Sequence, residues 1–283
     1  MDQPTGEAGQ PAPHKQMTVK MPHIRGINKF PVETRKANMV SAFQRGLHEL
    51  TELLGRETGK QAIIIGGGPS IQGEVEKIHA LRLAGAIVVT CERMYAWCLR
   101  HGIIPEYVVT MDASDDVTQA FTDLQPGSVH LVASQCLPTV FDALAGEKVY
   151  LYSTPQTGIE VSDMWEMGNY AEITIVNGGG SVVLCSLSIA MTLGMRTLHI
   201  FGFDCHIQHG RYANGIVGVG TAEELQVTAR IAGKAYLTTV PYLCFAQQFF
   251  EIKYIATQLN ECDAFKVYGD SLVTAMSRDD IGA

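Results

Sequence analysis

Apolar residues in this chain gather into short unbroken runs separated by longer amphipathic or polar stretches. Ala62–Ile65, Ala86–Cys91, Glu106–Thr110, Val129–Ala133, Lys148–Tyr152, Ile173–Val176 and Thr197–Phe201 are each four to six residues long and rich in β-branched side chains. Runs of that length, apolar on consecutive positions, predict strands buried on both faces, as in a parallel sheet. The intervening segments predict helices at 72–83, 92–101, 115–124 and 181–194, with a Pro- and Met-containing irregular stretch before Ile173. Residues 181–194 are apolar nearly all round (Val182, Val183, Leu184, Leu187, Ile189, Met191, Leu193), which predicts a central, buried helix.

Repeated strand–helix units of this kind imply an α/β fold with a doubly wound, mostly parallel, Rossmann-like sheet. Such sheets take ligands in the crevice outside the carboxyl ends of their strands. The core is expected over 58–205. Before it, residues 1–20 read as a flexible tail and 21–57 as an extended lead-in followed by an amphipathic helix, with Met39, Val40, Phe43, Leu47, Leu50, Leu53 and Leu54 at helical spacing. Lys29, Arg35 and Lys36 in the lead-in would meet an anionic ligand or simply sit on a solvated surface. Residues 206–283 complete the domain with a loop, a hairpin over 225–239 turning at Gly233-Lys234, a helix from Pro241 to Leu259, a strand at Phe265–Tyr268 and a polar tail.

The organising stretch is Ile63-Ile-Ile-Gly-Gly-Gly-Pro-Ser70. Gly66, Gly67 and Gly68 allow close backbone approach, and Pro69 with Ser70 suits the first turn of a helix. Strand, glycine loop and helix start is an arrangement that presents backbone N–H groups to a phosphate. The same grammar recurs at Ile173–Val176 followed by Asn177, Gly178, Gly179, Gly180 and Ser181. If 173–176 is a strand of the same parallel sheet, both triplets open on one edge.

Acidic residues close several strands: Glu92 after 86–91, Asp112 after 106–110, and Asp204 after 197–201. Carboxylates beside a phosphate site commonly answer to Mg²⁺, which takes one or two of them plus phosphate oxygens. Asp112 is therefore a candidate metal ligand and, with Asp204, a candidate catalytic group. Ser114 or Asp115 suits a helix cap. Glu92 stands near the spacing at which an acid meets a ribose hydroxyl.

Composition narrows the classes. The chain has 283 residues, 46% hydrophobic and 18% charged, which describes a globular protein with a sizeable core. A net charge of −8 speaks against sequence-independent nucleic-acid binding. Seven scattered cysteines, mostly in apolar runs, read as reduced thiols of a cytoplasmic protein. No uninterrupted apolar span long enough to cross a membrane is present. The glycine loops lack the Gly-Lys-Ser/Thr end of a P-loop, and Ile71 occupies the last glycine position of G-x-G-x-x-G. Cys205-His206-Ile-Gln-His209 has metal-ligand residue types but no partner Cys pair, and reads as a polar loop with Arg211 and Tyr212.

Taken in order, Ile63–Ser70, Gly102–Asp112, Gly178–Val183 and Leu193–Asp204 resemble the MptE-like family, which is named for an archaeal 6-hydroxymethylpterin diphosphokinase and also contains the motility-associated Maf flagellin glycosyltransferases. The resemblance covers roughly 58–260. It implies that Gly66–Ser70 hold nucleotide phosphates, that Asp112 serves phosphate or metal, and that Gly178–Ser181 complete the pocket. One reaction it implies is transfer of a diphosphoryl group from Mg-ATP to a small hydroxymethyl or hydroxyl acceptor. Another uses a nucleotide-activated, CMP-type sugar as donor, with a glycan or small molecule as acceptor. A non-catalytic nucleotide-binding protein on the same fold is a third reading, and oligomerisation is left open.

Overall fold

A computed structural model describes residues 30–155, 157–169, 172–208, 213–215 and 225–279. Among the described residues, ten strands and eight α-helices follow in order: α1 (Val32–Phe43), β1 (His48–Glu49), β2 (Gln61–Ile65), α2 (Val75–Leu83), β3 (Ile87–Cys91), α3 (Tyr95–Arg100), β4 (Tyr107–Thr110), β5 (Val129–Ala133), α4 (Pro138–Ala143), β6 (Lys148–Tyr152), α5 (Val161–Met167), α6 (Val182–Thr192), β7 (Thr197–Phe201), β8 (Gln226–Ile231), β9 (Lys234–Thr239), α7 (Val240–Gln258), β10 (Ala264–Val267) and α8 (Leu272–Asp279). Eight strands form one sheet in the order β1-β6-β5-β4-β3-β2-β7-β10, every pair parallel. The fold is the doubly wound α/β, Rossmann-like sheet that the apolar runs predict.

Strand order dictates where a ligand can sit. From β2 the chain steps outward through β3, β4, β5 and β6, then returns to place β7 on the other side of β2. Right-handed crossovers put α2, α3 and α4 on one face and, after the reversal, α6 and α7 on the other. The order therefore reverses between β2 and β7, and the loops there diverge to opposite faces. Both faces are covered, so Ile63, Ile64, Ile65, Val88, Val89, Val108 and Val109 are all fully buried.

The tertiary structure changes several local expectations. The N-terminal helix starts earlier and stops at Phe43, and the chain then turns at Gly46 (φ +62°). Leu47–Leu54 do not continue it: His48–Glu49 pair in parallel with Tyr150–Leu151 at the sheet edge, and Leu50–Leu53 form a 3₁₀ turn. Residues 32–36 are helical, not extended. Ile173–Val176 is not a strand of the sheet; one parallel bridge joins Ile175 to Ser153, just beyond β6. The segment from 115 to 121 is 3₁₀, α4 and α5 arise where no helix is predicted, and the expected polar tail contains α8. The hairpin turns one residue earlier than expected, at Ala232–Gly233 (φ +47° and +80°), the two positive φ values that a type I′ turn requires. Among the described residues, no helix is long and apolar enough to cross a membrane.

Candidate active site

Because all eight strands run the same way, their carboxyl ends share one edge. Gly66 leaves β2 there, Glu92 leaves β3, Asp112 follows β4, Gln135 follows β5, Thr154 follows β6, and Gly202–Asp204 leave β7. Asp112, Asp204, Glu92 and the first glycine triplet thus come to the edge on which they were expected.

On the β2/β7 side the backbone is closed on itself. The Gly66 N–H donates to Phe201 O at 2.8 Å and the Gly68 N–H to Gly202 O at 2.7 Å, while Gly67 O accepts from Ala213 N at 2.8 Å. A Cβ on Gly66 would lie 2.6 Å from Gly202 O, and one on Gly68 would lie 2.3 Å from the Asp204 carboxyl carbon. Asp204 is buried and accepts from Ser70 N at 3.0 Å and from Ser70 Oγ at 2.5 Å. Burial raises the pKa of Asp204, and the two bonds from Ser70 oppose that rise. Both its oxygens hold the first turn after Pro69. Gly66, Gly68 and Ser70 therefore spend their N–H groups inside the protein, and Asp204 acts as the clamp.

The second triplet reaches the same edge by a different route. From the bridge beside β6 the chain crosses back, so that a Cβ on Gly178 would meet Met111 Sδ at 2.9 Å and Thr154 Cγ2 at 3.0 Å. Gly179 (φ +53°) donates to Asn177 Oδ1 at 3.2 Å, and Gly180 donates to Gln248 Oε1 of α7 at 2.8 Å. Ser181 caps α6, its Oγ accepting from Leu184 N at 3.3 Å. That leaves the N–H groups of Val182 and Val183 as the orphan donors of the first turn. The Val183 side chain lies 2.8 Å from where a Cβ of Gly66 would be, so α6 starts directly over the first glycine loop. An open groove of about 560 Å³ runs along α6 and α7 from Asn177 toward Arg196, lined by Ile175, Met191, Ile252 and Ile255; it leads away from the edge.

Polar capacity is left over on the β3/β4/β5 side. Glu92 is 1% exposed, and its Oε2 has no partner. Burial, reinforced by Asp112 and Asp116 and opposed by its own N–H and by Arg93, raises its pKa to about 8, so the carboxyl is protonated at neutral pH. Gln135, also buried, donates to Met111 O at 3.0 Å and Thr154 Oγ1 at 3.1 Å, but its Oε1 is unpartnered. Thr110 Oγ1 is a third such atom. Arg93 lies between these loops, bidentate on Asp116 at 2.7 and 3.0 Å, with Asp112 at 3.6 Å and the Glu92 carboxyl at 3.9 Å.

This donor set does not fit a resident magnesium ion. Glu92 is almost wholly buried, Asp116 is engaged by Arg93, and Asp112 has a guanidinium 3.6 Å away. A divalent ion on Asp112 would sit against that guanidinium with like charge.

A model of the MptE-like family, described as 6-hydroxymethylpterin diphosphokinase MptE-like, matches residues 36–210, more than half of the chain. The chain belongs to the MptE-like family. Among solved structures it is similar to the Maf glycosyltransferase from Magnetospirillum magneticum AMB-1, with a TM-score of 0.60 and 16% identity. That match covers 88% of this chain and 41% of the neighbour, so the chain spans well under half the neighbour's length; at that identity the likeness shows the fold. No curated protein sequence matches the chain.

Within this member of the family, both basic residues of the lead-in that can be placed are engaged by the protein itself. Arg35 is buried and donates to Phe30 O and Thr157 O, and Lys36 pairs with Asp163 at 3.1 Å. Lys29, His209, Arg211 and Tyr212 lie outside the described residues. His206 packs edge-on against Tyr236, and Cys205 is buried with φ +50°. Arg93, Met111, Gln135 and Thr154 were not singled out from the sequence. Gln135 and Thr154 each stand two residues past a strand, as Asp112 does, and that offset was the available signal.

Proposed function

We propose that this chain is a nucleotide-dependent transferase working between Glu92, Asp112 and the start of α6. The observation that carries the reading is the buried Glu92 carboxyl with one oxygen unpartnered at the sheet's carboxyl edge. A buried polar atom left without a partner costs roughly 1–3 kcal/mol, and a ligand that supplies the missing bond recovers that cost. The protonated carboxyl donates to an oxygen of the ribose or base. The free N–H groups and dipole of α6 receive phosphate oxygens, and they stabilise the charge that grows on the nucleotide as it leaves. Asp112 faces the acceptor and takes the proton from its hydroxyl, as that oxygen bonds to the transferred group and the nucleotide departs. Asp204 holds Gly66–Ser70 in place and is a positioning residue.

Two donors are consistent with these roles. ATP giving a diphosphoryl group to a hydroxymethyl or hydroxyl acceptor follows the family's name; a nucleotide-activated sugar, which we take as CMP-type, follows the glycosyltransferase in the name of the structural neighbour. Plain nucleotide binding needs no group like Asp112. A thermal-shift panel of ATP, GTP, CTP, CMP and sugar nucleotides tests the reading, since a ligand at 100 times its Kd adds about 2.7 kcal/mol. Glu92→Met, which keeps the volume and removes the polar atoms, is expected to weaken the stabilising nucleotide roughly tenfold or more, while Glu92→Gln retains it. A panel with no stabilising nucleotide, or full affinity in a folded Glu92→Met variant, overturns the proposal.

A further inference from the structure

We propose that Arg93 supplies the positive charge that a nucleotide phosphate meets in this crevice, so that nucleotide binding requires no divalent metal; the inference rests on the nucleotide reading above. Arg93 follows Glu92 in the 3₁₀ turn that ends β3, and its carbonyl accepts from Asn214 Nδ2 at 2.7 Å, which fixes the base of the side chain. The guanidinium is about one quarter exposed and already oriented. Nη1 and Nη2 reach the two oxygens of Asp116 at 2.7 and 3.0 Å, and Nη2 also reaches Ser114 Oγ at 3.3 Å. A guanidinium has five N–H donors. Those contacts leave Nε–H and one hydrogen of Nη1 unused, because Glu92 Oε1 at 3.9 Å from Nε is beyond hydrogen-bond range. These two hydrogens lie on opposite edges of the plane, so the group can keep Asp116 and still present one donor to an anion on either edge, with little ordering left to do on binding.

The same geometry disfavours a metal. Asp112 approaches Arg93 to 3.6 Å, an ion pair too long for a hydrogen bond, so its charge is partly balanced already. A cation bound to that carboxylate would lie within a few ångströms of the guanidinium. A phosphate drawn between Arg93 and the α6 start instead meets a guanidinium and a helix N-terminus, with Asp112 and Asp116 as the opposing charges on the far side of Arg93. The crevice thereby suits a nucleotide phosphate that arrives without a chelated metal.

Calorimetric titration of the full chain with CMP and with ATP, in magnesium chloride and in EDTA, tests the inference. Binding of at least one nucleotide is expected to agree between the two buffers within roughly threefold, and Arg93→Gln is expected to weaken it about tenfold or more in both. Asp112→Asn removes the carboxylate that competes for Arg93, and is expected to preserve or tighten binding. Tenfold weaker binding of the wild type in EDTA, loss of binding in Asp112→Asn, or wild-type affinity in a folded Arg93→Gln variant overturns it. If Arg93→Gln does not fold by circular dichroism, the EDTA comparison and Asp112→Asn decide the matter alone. Failure of both nucleotides to bind in either buffer brings down the nucleotide reading and this inference with it, and is distinct from loss in EDTA only.

Discussion

The two halves of the carboxyl edge treat their polar groups in opposite ways. Between β2 and β7, the glycine loop, Gly202 and Asp204 satisfy one another, and the absent side chains are filled by protein backbone and a carboxylate. Between β3 and β5, Glu92, Thr110 and Gln135 keep buried atoms without partners, and Arg93 keeps donors to spare. A run of glycines after a strand reports that something approaches closely; it does not say whether that is a ligand or the next loop. Here the next loop comes closest, and the unspent hydrogen-bonding capacity lies in the neighbouring half, where we propose the ligand sits.

The strongest way to break this contrast is Gly202→Ala. Gly202 has φ +65°, and its Cβ would stand 2.3 Å from Gly66 O, so both backbone conformation and space oppose the change. We expect a loss of about 3 kcal/mol or more, read as the urea midpoint. A midpoint equal to wild type would mean the β2/β7 closure is not what the contacts indicate. By the same reasoning Gly68→Val unfolds the loop against Asp204 and is not a clean binding variant.

Next in size is the pH dependence from Glu92. Its folded pKa of about 8 lies above the ordinary 4.5, so the unfolded chain releases this proton first. Its contribution is fully present below pH 4.5 and is lost as pH rises toward 8, at up to roughly 1.4 kcal/mol per pH unit. Glu92→Gln should flatten that slope in denaturant titrations from pH 5 to 8, and an unchanged slope would show that the carboxyl is not held protonated.

His130 sharpens the comparison from outside the edge. Both its ring nitrogens are buried without partners, but it packs against Tyr95 and Phe121 near the amino end of β5, away from the carboxyl edge. Burial lowers its pKa from 6.5 to about 4, so stability is present above 6.5 and falls as pH drops toward 4. His130→Phe is expected to gain on the order of 1–3 kcal/mol near pH 5, with nucleotide affinity unaltered. A change in affinity would tie this orphan to the site as well.

The smallest effect on stability is expected for Asp112→Asn. Asp112 is partly exposed and its ion pair with Arg93 is long, so the change should cost no more than about 1 kcal/mol. Turnover, once a substrate pair is found, should fall much further. Parental turnover in the folded variant would remove Asp112 from the reaction.

Strand identity was legible because a strand buried on both faces must be apolar at consecutive positions. β2 through β7 were each foreseen to within a residue or two, as was the buried α6. Ile173–Val176 carries the same pattern yet makes only one bridge, since a strand also needs a free partner edge, and β1 already occupies that of β6. Leu47–Leu54 keep a helical spacing that Gly46 interrupts.

The sequence by itself determined a doubly wound sheet, the edge on which its polar residues would gather, and the family. Those follow from local patterning, which is written residue by residue. Only the tertiary structure decided which of those residues have hydrogen bonds to spare. Asp204 and Glu92 are each an acid closing a strand, but one meets Ser70 across 134 positions of sequence and the other meets no donor for its second oxygen. That distinction depends on which loops the strand order brings together, and no spacing along the chain records it.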